Sequence, residues 1–535
     1  MVSAGALTIV CPLSPSQERF RLVRRILENR ELTLAQLGRE SRARYRDSKY
    51  HVSHRFYSDL RITGFTPNIQ QILALSSVTG YRVVDWLAVF GFHLDAIGRL
   101  QATLPTKRTH LIDSTLYDDQ EWIPWFVDAE STQAPHEIVP LGRLLSPGIL
   151  QRAAALTPVH KSPFLYAKVG WQDAFAFPDL LPGSIIRVDT RKKNPASMLK
   201  DDRQPIALIQ HARGFSFCEM RSARPGHITL RSSELPYPQI ELQLEREARV
   251  LGTADLELRV LVSWREPVGA AQLSLPPSGI PLLERPASQG LGQLLNTGRS
   301  KSGLSFREAS KLSRQIAAEL GDARYFCSPG ALSNYEVQCE APRHVHKLIT
   351  LAVLYSVSFW ELARASGLKL ADTGKEPLPE IVFSTGARAP GKEVSEPPLA
   401  ESFVGGLLHD FEEIPLFLRE ALPTLLELRT VSLRDVYWMG GNRFSLHPQL
   451  NSTVLAAVDR RRKRPADVPG KTLNDQPLYM LLARERGYLA AACHQEGDFL
   501  IAHPFSDGFR SPQRFRQGID AEVVGRIVAL LRRVR

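Results

Sequence analysis

The sequence predicts an α+β protein of several domains, in which two all-α segments alternate with two mostly-β segments. Three observations support this prediction. At 535 residues the chain is too long for one hydrophobic core. Apolar residues recur at three- and four-residue steps early in each half of the chain, which is typical of amphipathic helices. Later in each half, short runs of Val, Ile, Leu and aromatic residues are interrupted by Gly and Pro, as in strands.

An internal repeat divides the chain. Residues 20–265 (the first half) match residues 290–535 (the second half) in five places, in the same order and at an offset of about 270–276. The matches are LTLAQLGRESR (32–42) with LSFREASKLSR (304–314), VSHRFYSDL (52–60) with SPGALSNYE (328–336), IIRVDTRKKNP (185–195) with LAAVDRRRKRP (455–465), QPIALIQHARGF (204–215) with QPLYMLLARERGY (476–488), and ARVLGTADLELRVL (248–261) with AEVVGRIVALLRRV (521–534). We interpret the chain as a tandem duplication of one α-plus-β unit, because five ordered matches do not easily arise by chance.

Each half is predicted to begin with helices. Thr33 and Ser305 stand at matching positions where a helix N-cap is expected, and Glu308 completes a capping box with Ser305. Further on, residues 68–92 and 343–368 each read as an amphipathic helix pair with a glycine near the end.

A short polar stretch lies between these helices in each half, HVSHRFYSDL (51–60) and CSPGALSNYE (327–336). A helix, a connection and a second short helix with a polar outer face form a helix-turn-helix arrangement. The second helix fits the major groove because Ser, Asn, Arg and His reach base edges and phosphates. Leu332, Ser333 and Glu336 resemble the LSxxE pattern of the Cro/CI-type (XRE-like) helix-turn-helix family, whereas the first half keeps Ser58 but has Arg61 in place of the glutamate.

The resemblance implies a DNA-binding site in each half. The candidate base- or phosphate-facing residues are Arg42, Ser53, His54, Arg55, Ser58 and Arg61 in the first half, and Arg314, Ser328, Gly330, Ser333 and Asn334 in the second. Tyr57 and Leu332 are expected to face the core. Residues 15–100 carry 14 Lys and Arg against 8 Asp and Glu, and residues 289–370 carry 10 against 6. We hypothesise that the first half supplies non-specific affinity and the second reads bases. The alternative is that these helices pack against another domain and read nothing.

The strand-rich segments carry a second resemblance. FAFPDLLPGSIIRVD (175–189) and SLHPQLNSTVLAAVD (445–459) share one spacing from proline to Val-Asp. They resemble the C-terminal, signal-peptidase-type domain of LexA-like self-cleaving repressors, whose catalytic pair is a serine and a buried neutral lysine. Phe175 occupies the serine position in the first half, and Ser445 occupies it in the second.

The lysine that this resemblance requires is missing. The strands expected after Gly214 and Gly487 read FSFCEM and YLAAACH, where His494 is the sole basic candidate. The family's Ala-Gly cleavage site is also absent between the domains. We therefore predict no catalytic residue, and β domains kept for association or sensing; whether Ser445 retains activity stays open.

Two basic runs follow Val-Asp at matching positions, TRKK (190–193) and RRRKR (460–464). Both are expected on a turn between strands. They are either solvated hairpin tips or flanks that contact DNA phosphate.

The composition of the chain indicates which class of partner it binds and where in the cell it works. The formal net charge of +11 and the pI of about 9.5 favour an anionic partner, with double-stranded DNA ahead of a membrane surface. The sequence contains no run of 18 apolar residues, so we expect no transmembrane helix. The five cysteines are scattered along the chain, which suits a reducing compartment, and we therefore expect a cytoplasmic protein. No motif indicates a cofactor, and the two histidines of RHVHK (343–347) do not share a helical face, so no metal site is expected.

Together these observations predict an α+β multidomain protein with two helix-turn-helix domains alternating with two mostly-β LexA-like domains. The predicted boundaries are 15–100 for helix-turn-helix domain 1, 101–160 for a linker with some helix, 161–265 for β domain 1, 266–288 for a Pro-rich linker, 289–370 for helix-turn-helix domain 2, 371–430 for a second linker with some helix, and 431–535 for β domain 2. The predicted function is a sequence-specific DNA-binding transcriptional regulator, a repressor acting as a single-chain pseudo-dimer on an imperfect palindrome. The alternative is a protein-interaction or ligand-sensing scaffold. The operator, the signal, repression as against activation, and self-association through the β domains stay open.

Overall fold

The structure is a computed structural model with helices and antiparallel sheet, and it bears out the α+β class. It describes residues 7–10, 15–62, 65–92, 94–113, 125–127, 138–140, 145–147, 163–173, 175–177, 179–193, 205–220, 224, 226–230, 239–260, 279–282, 290–368, 381–384, 436–439, 454–465, 477–484, 487–503 and 512–534. The chain forms two compact units, each built from two separate stretches. The first unit comprises residues 1–101 and 284–390, and the second comprises residues 102–283 and 391–535.

The described helices of the second half follow the same order as the first five helices of the first half. The helices are α1 (Pro15–Asn29), α2 (Leu34–Arg44), α3 (His54–Asp59), α4 (Ile69–Thr79), α5 (Val83–Val89) and α6 (Asp95–Thr103), then α7 (Leu291–Ser302), α8 (Phe306–Glu319), α9 (Pro329–Val337), α10 (Val345–Tyr355) and α11 (Phe359–Ala365). A single 3-10 turn, Ser48–Tyr50 or Ala323–Tyr325, precedes α3 and α9 respectively. Residues 7–10 and 381–384 form a two-stranded parallel sheet, β1 (Leu7–Val10) with β13 (Ile381–Ser384).

The predicted helix caps are confirmed. The Thr33 hydroxyl accepts a hydrogen bond from the amide of Gln36, whose side chain reaches back to the Thr33 backbone. Ser305 and Glu308 form the same reciprocal pair at the start of α8. Each cap satisfies amides that have no partner within the helix, so α2 and α8 begin at matching positions.

The two helix pairs are also confirmed. The bend between α4 and α5 is 120°, and that between α10 and α11 is 119°. A residue in the left-handed region allows each bend, Gly80 at φ 75° and Ser356 at φ 49°. None of the described helices is by itself long and apolar enough to cross a membrane, although each bent pair reaches that length and apolarity when its two helices are counted together.

The helical segments of the two halves pack together within the first unit. The ring of Phe92 lies edge-on to His346 with the centroids 4.8 Å apart. The Gln101 amide donates to the carbonyl of Ala352 over 3.2 Å. The first contact starts from Phe92, just after α5, and the second from α6, and both reach α10 of the second half.

The second unit contains one large antiparallel sheet, in which some strands pair with more than two neighbours, and two smaller sheets. Its strands are β2 (His110–Ile112), β3 (Trp125–Val127), β4 (Ile138–Pro140), β5 (Leu145–Pro147), β6 (Phe164–Lys168), β7 (Ile185–Asp189), β8 (Ile206–His211), β9 (Gly214–Glu219), β10 (His227–Leu230), β11 (Ile240–Gln243), β12 (Ala248–Val260), β14 (Val436–Met439), β15 (Val454–Asp459), β16 (Leu478–Ala483), β17 (Gly487–Glu496), β18 (Phe499–His503), β19 (Gln513–Arg516) and β20 (Ala521–Arg533). The sequence predicts a linker with some helix at 101–160. Beyond the end of α6, the described residues of this stretch include the short strands β2–β5. Much of the rest of the stretch lies outside the described residues.

Two long strands organise the large sheet. β12 pairs first with β8 and then with β7, and β20 pairs first with β16 and then with β15. A β-bulge interrupts each long strand just before a glycine, at Gly252 and at Gly525. A Cβ atom at either glycine would lie 2.4–2.5 Å from a backbone carbonyl oxygen, that of Asp189 or Asp459, so only glycine fits there.

The long strands also pair with each other. β12 and β20 run antiparallel, from Leu256 opposite Arg533 to Val260 opposite Ala529. A buried ion cluster crosses this seam. Both carboxylate oxygens of Glu257 accept hydrogen bonds from Arg259, at 3.0 and 2.9 Å, and one accepts from Arg532 at 2.7 Å. Although burial opposes ionisation, the two guanidinium groups hold the pKa of Glu257 at about 2.

Candidate nucleic-acid interface

A buried serine positions the short polar helix in each half. Ser41, in α2, donates its hydroxyl to the carbonyl of Gly38 and accepts the amide of Val52 at 3.1 Å. Ser313, in α8, donates to Ser310 and accepts the amide of Cys327 at 2.9 Å. Each accepted amide lies immediately before the N-cap of the following helix. The same hydrogen bond therefore sets the geometry of helix, turn and second helix in both segments.

Helix α9 is anchored by an apolar residue and an ion pair. Leu332 is 1% exposed, as predicted for a core-facing residue. The Glu336 carboxylate accepts hydrogen bonds from Arg299 and Asn296, each over 2.7 Å. This charge-assisted pairing raises the pKa of Arg299 and fixes α9 against α7. Glu336, the glutamate of the LSxxE pattern, is thus a structural residue.

The first half anchors α3 differently. Phe56 is buried against the rings of Phe65 and Phe90, with centroids 5.7 and 6.3 Å away. Arg61, at the position of the glutamate, is exposed and lies 4.3 Å above the ring of Phe20. Tyr57 is half-buried against the same ring. α3 has only six residues and ends at Asp59, so Arg61 follows the helix instead of lying on it.

The candidate residues of the first half are exposed. This group contains Arg42, Ser53, His54, Arg55, Ser58 and Arg61. Ser53 is the N-cap of α3 but its side chain makes no capping hydrogen bond, and the Ser58 hydroxyl donates to the carbonyl of Arg55 at 2.7 Å. Arg55 also lies 4.0 Å from Asp59, an exposed i,i+4 pair that contributes little stability.

The candidates of the second half divide into two groups. Ser328 and Gly330 are exposed at the start of α9, where the Ser328 hydroxyl caps the helix by accepting the amide of Ala331. Ser333 and Asn334 are half-buried one turn further on. Arg314 is exposed on α8, with its guanidinium 5.2 Å above the ring of Phe326.

The structure adds cations that the sequence argument overlooked. Arg39 and Lys311 lie three residues before Arg42 and Arg314, so each pair shares one exposed helix face. Further exposed cations near these helices in sequence include Arg44, Arg46 and Lys49 in the first half and Arg307, Arg324 and Arg343 in the second, of which Arg44 pairs with Glu40 and Arg324 with Asp322. Helical spacing alone was sufficient to find the Arg39–Arg42 and Lys311–Arg314 pairs. Both helical segments carry an excess of positive charge, since residues 15–100 have 14 Lys and Arg against 8 Asp and Glu, and residues 289–370 have 10 against 6.

The β segments contain buried ionisable groups but no described serine–lysine pair. Phe175, at the first-half serine position, is 2% exposed, and Ser445 lies outside the described residues. A buried lysine does occur, on β6 instead of the strand after Gly214. Lys168 donates to the carbonyls of Ala102 and Leu104 at 2.7 and 2.8 Å, and burial lowers its pKa to about 7. It serves as a tether for residues 102–104.

A second buried polar group includes His211, Ser216 and Asp173. His211 Nε2 lies 2.9 Å from the Ser216 hydroxyl, which resembles a nucleophile and its base. However, His211 Nδ1 accepts the amide of Arg213 at 3.2 Å, so the ring proton is on Nε2 and the histidine donates to Ser216. Burial raises the pKa of Asp173 to about 7. This arrangement does not activate the serine.

Comparison with known proteins identifies no relative. No family model, no curated protein and no solved structure matches the chain.

Proposed function

We propose that the chain is a sequence-specific DNA-binding transcriptional regulator, a repressor of the Cro/CI-type helix-turn-helix class that works in the cytoplasm. The observation that carries the proposal is the shared scaffold of the two helical segments. Ser41 and Ser313 each hold the amide before a short helix that has exposed polar residues, next to a face rich in arginine and lysine. Helix N-termini and cations at such a face suit phosphate and base contacts.

The proposal includes a tandem duplication that makes the protein a single-chain pseudo-dimer. The matching caps, bends, bulges and close-approach glycines of the two halves support it. Because both reading heads belong to one polypeptide, their pairing is intramolecular and needs no second chain. The two short helices have diverged, so the target is an imperfect palindrome with half-sites about 34 Å or a multiple of that apart.

The LexA-like β domains are proposed to be inactive as peptidases. Phe175 at the serine position and the absence of lysine from β9 and β17 support this part of the proposal. Prolonged incubation at alkaline pH should leave the 59.8 kDa chain intact. A cleavage that disappears in Ser445→Ala would contradict it.

Filter binding with duplex DNA tests the main proposal. Bound sequences selected from a random pool should converge on one motif, and affinity should fall linearly with log salt at a slope near −0.9 per phosphate contacted. Weak binding at both low and high salt, with no convergence, would overturn it.

The alternative is a protein-interaction or ligand-sensing scaffold. It is favoured by the half-burial of Ser333 and Asn334 and by the six-residue length of α3. The same titration separates the two functions, since a scaffold shows little DNA binding at any salt.

A further inference from the structure

The basic run after β15 forms one wall of a groove in the second unit. Arg461, Arg462, Lys463 and Arg464 line it, together with Tyr479 from β16 and Arg526 from β20. We call these six residues the basic groove. Its volume is about 380 Å³, within the range of small-molecule sites.

The charges of the basic groove are only partly neutralised. Asp459 lies 3.0 Å from Arg461 and 3.5 Å from Arg462. Five cations therefore face one described carboxylate that pairs with them. The run itself is exposed, and its backbone is held where Tyr479 donates its hydroxyl to the carbonyl of Arg464 at 3.2 Å.

Arg526 forms the back of the groove. It stands in the sheet between Asp459 on β15 and Tyr479 on β16. Its Nε is buried without a hydrogen-bond acceptor among the described residues. Burial lowers its pKa, and the nearby charge of Arg462 lowers it further. A buried Nε without an acceptor is unfavourable, and Arg526 lines the groove with four other cations, so an anion in the groove would stabilise its charge.

The first half has no arginine at the position that matches Arg526. There Thr253 occupies the position of Arg526, between Asp189 on β7 and Ala207 on β8. The turn that follows Asp189 keeps Arg191, Lys192 and Lys193, but among the described residues the matching sheet position behind it is Thr253 instead of an arginine. A DNA backbone contact in a pseudo-two-fold protein would be expected on both halves, whereas a groove present once suits a separate ligand.

We propose that the basic groove binds the phosphate groups of a small phosphorylated molecule. Four arginines and a lysine match a ligand with several negative charges, because guanidinium groups hold phosphate oxygens in pairs of hydrogen bonds. The Arg526 guanidinium, which lines the back of the groove, would donate to a phosphate oxygen, and the side chains of the 461–464 run would contact the rest. This inference does not depend on DNA binding.

Isothermal titration calorimetry of the full chain, at fixed ionic strength, tests the proposal with inorganic pyrophosphate and with ATP as probes. Wild type should bind at least one probe saturably. Arg526→Thr, which introduces the residue of the first half, should weaken binding about tenfold or more, equivalent to about 1.4 kcal/mol. Arg464→Ala, in the exposed turn, should weaken it as well and does not depend on how Arg526→Thr folds.

The matched control is the double variant Lys192→Ala/Lys193→Ala in the corresponding turn of the first half, which should bind as wild type does. Absence of saturable binding by wild type, or wild-type affinity in both Arg526→Thr and Arg464→Ala, would overturn the proposal. So would a third pattern, in which neither probe binds but Arg526→Thr lowers affinity for a DNA duplex and reduces its salt dependence. That pattern would assign the groove to DNA phosphate and leave the proposed regulator intact.

Discussion

Leu258 on β12 lies directly opposite Leu531 on β20. These two leucines are also matching residues when the two halves of the sequence are aligned. Antiparallel pairing in which a residue faces its own equivalent is the geometry of a two-fold interface. Under the proposed duplication, the β12–β20 ladder is such an interface made within one chain.

The ion cluster at this seam predicts acid sensitivity. The pKa of Glu257 is about 2 in the folded chain and near its ordinary value of 4.5 in the unfolded chain. The resulting stabilisation is present above pH 4.5 and is lost as the pH falls from there toward 2. Glu257→Gln should therefore lower the free energy of unfolding at pH 7 by about 3–5 kcal/mol, since it leaves two buried guanidinium groups without their counter-ion.

Urea unfolding at pH 3 to 7 measures this effect. Glu245→Gln is the control, because Glu245 forms an exposed pair with Arg249 at 3.5 Å and should change stability by less than about 0.5 kcal/mol. The prediction is wrong if Glu257→Gln and wild type lose stability in parallel below pH 4.5.

Asp173 should make the free energy of unfolding depend on pH in the direction opposite to that of Glu257. Burial raises its folded pKa to about 7 from the ordinary 3.8, so the folded state holds a proton that the unfolded state has released. Stability from this group falls as the pH rises from about 4 to 7. Asp173→Asn should flatten that part of the pH profile in urea unfolding, and an unchanged profile would argue against a neutral Asp173.

The ion pair of Glu336 predicts a difference between the halves. Glu336→Ala leaves Arg299 partly buried without its partner and should destabilise the first unit by about 3–5 kcal/mol. Arg61→Ala, at the matching exposed position, should cost less than about 1 kcal/mol. Differential scanning calorimetry of both variants checks this, and equal melting shifts would contradict it.

The paired cations of α2 and α8 predict the salt dependence of DNA binding. Arg39→Ala/Arg42→Ala and Lys311→Ala/Arg314→Ala should each reduce the log–log slope by about 0.9 per phosphate contact removed. Arg364→Ala, an exposed arginine on α11, is the control and should leave the slope unchanged. If all variants have the same slope as wild type, these helix faces do not contact DNA phosphates.

The short helices α3 and α9 are expected to play different roles in DNA binding. Arg55→Ala should weaken binding to all DNA sequences and lower the salt slope, whereas Asn334→Ala should weaken binding only to the selected motif. Competition binding with specific and random duplexes distinguishes the two. Equal losses with the same slope would count against the division.

Local chemistry made much of the first unit predictable. Thr33, Ser305 and Glu308 specify helix starts because their side chains bond to amides only three residues away. The burial of Leu332 follows in the same way from the helical pattern around it. The Glu336–Arg299 pair was not predictable, since it joins helices 37 residues apart in sequence and the first half has Arg61 instead.

The sequence by itself determined the α+β class, the ordered matches between the halves, the helix caps and the turn positions of the two basic runs, because each depends on near neighbours or on direct alignment. The tertiary structure alone decided that β12 pairs with β20, that Glu257 lies between Arg259 and Arg532, and that Arg526 stands behind the 460–464 turn. Strand register and ion pairing between distant segments depend on which surfaces meet after folding, and no local spacing encodes that.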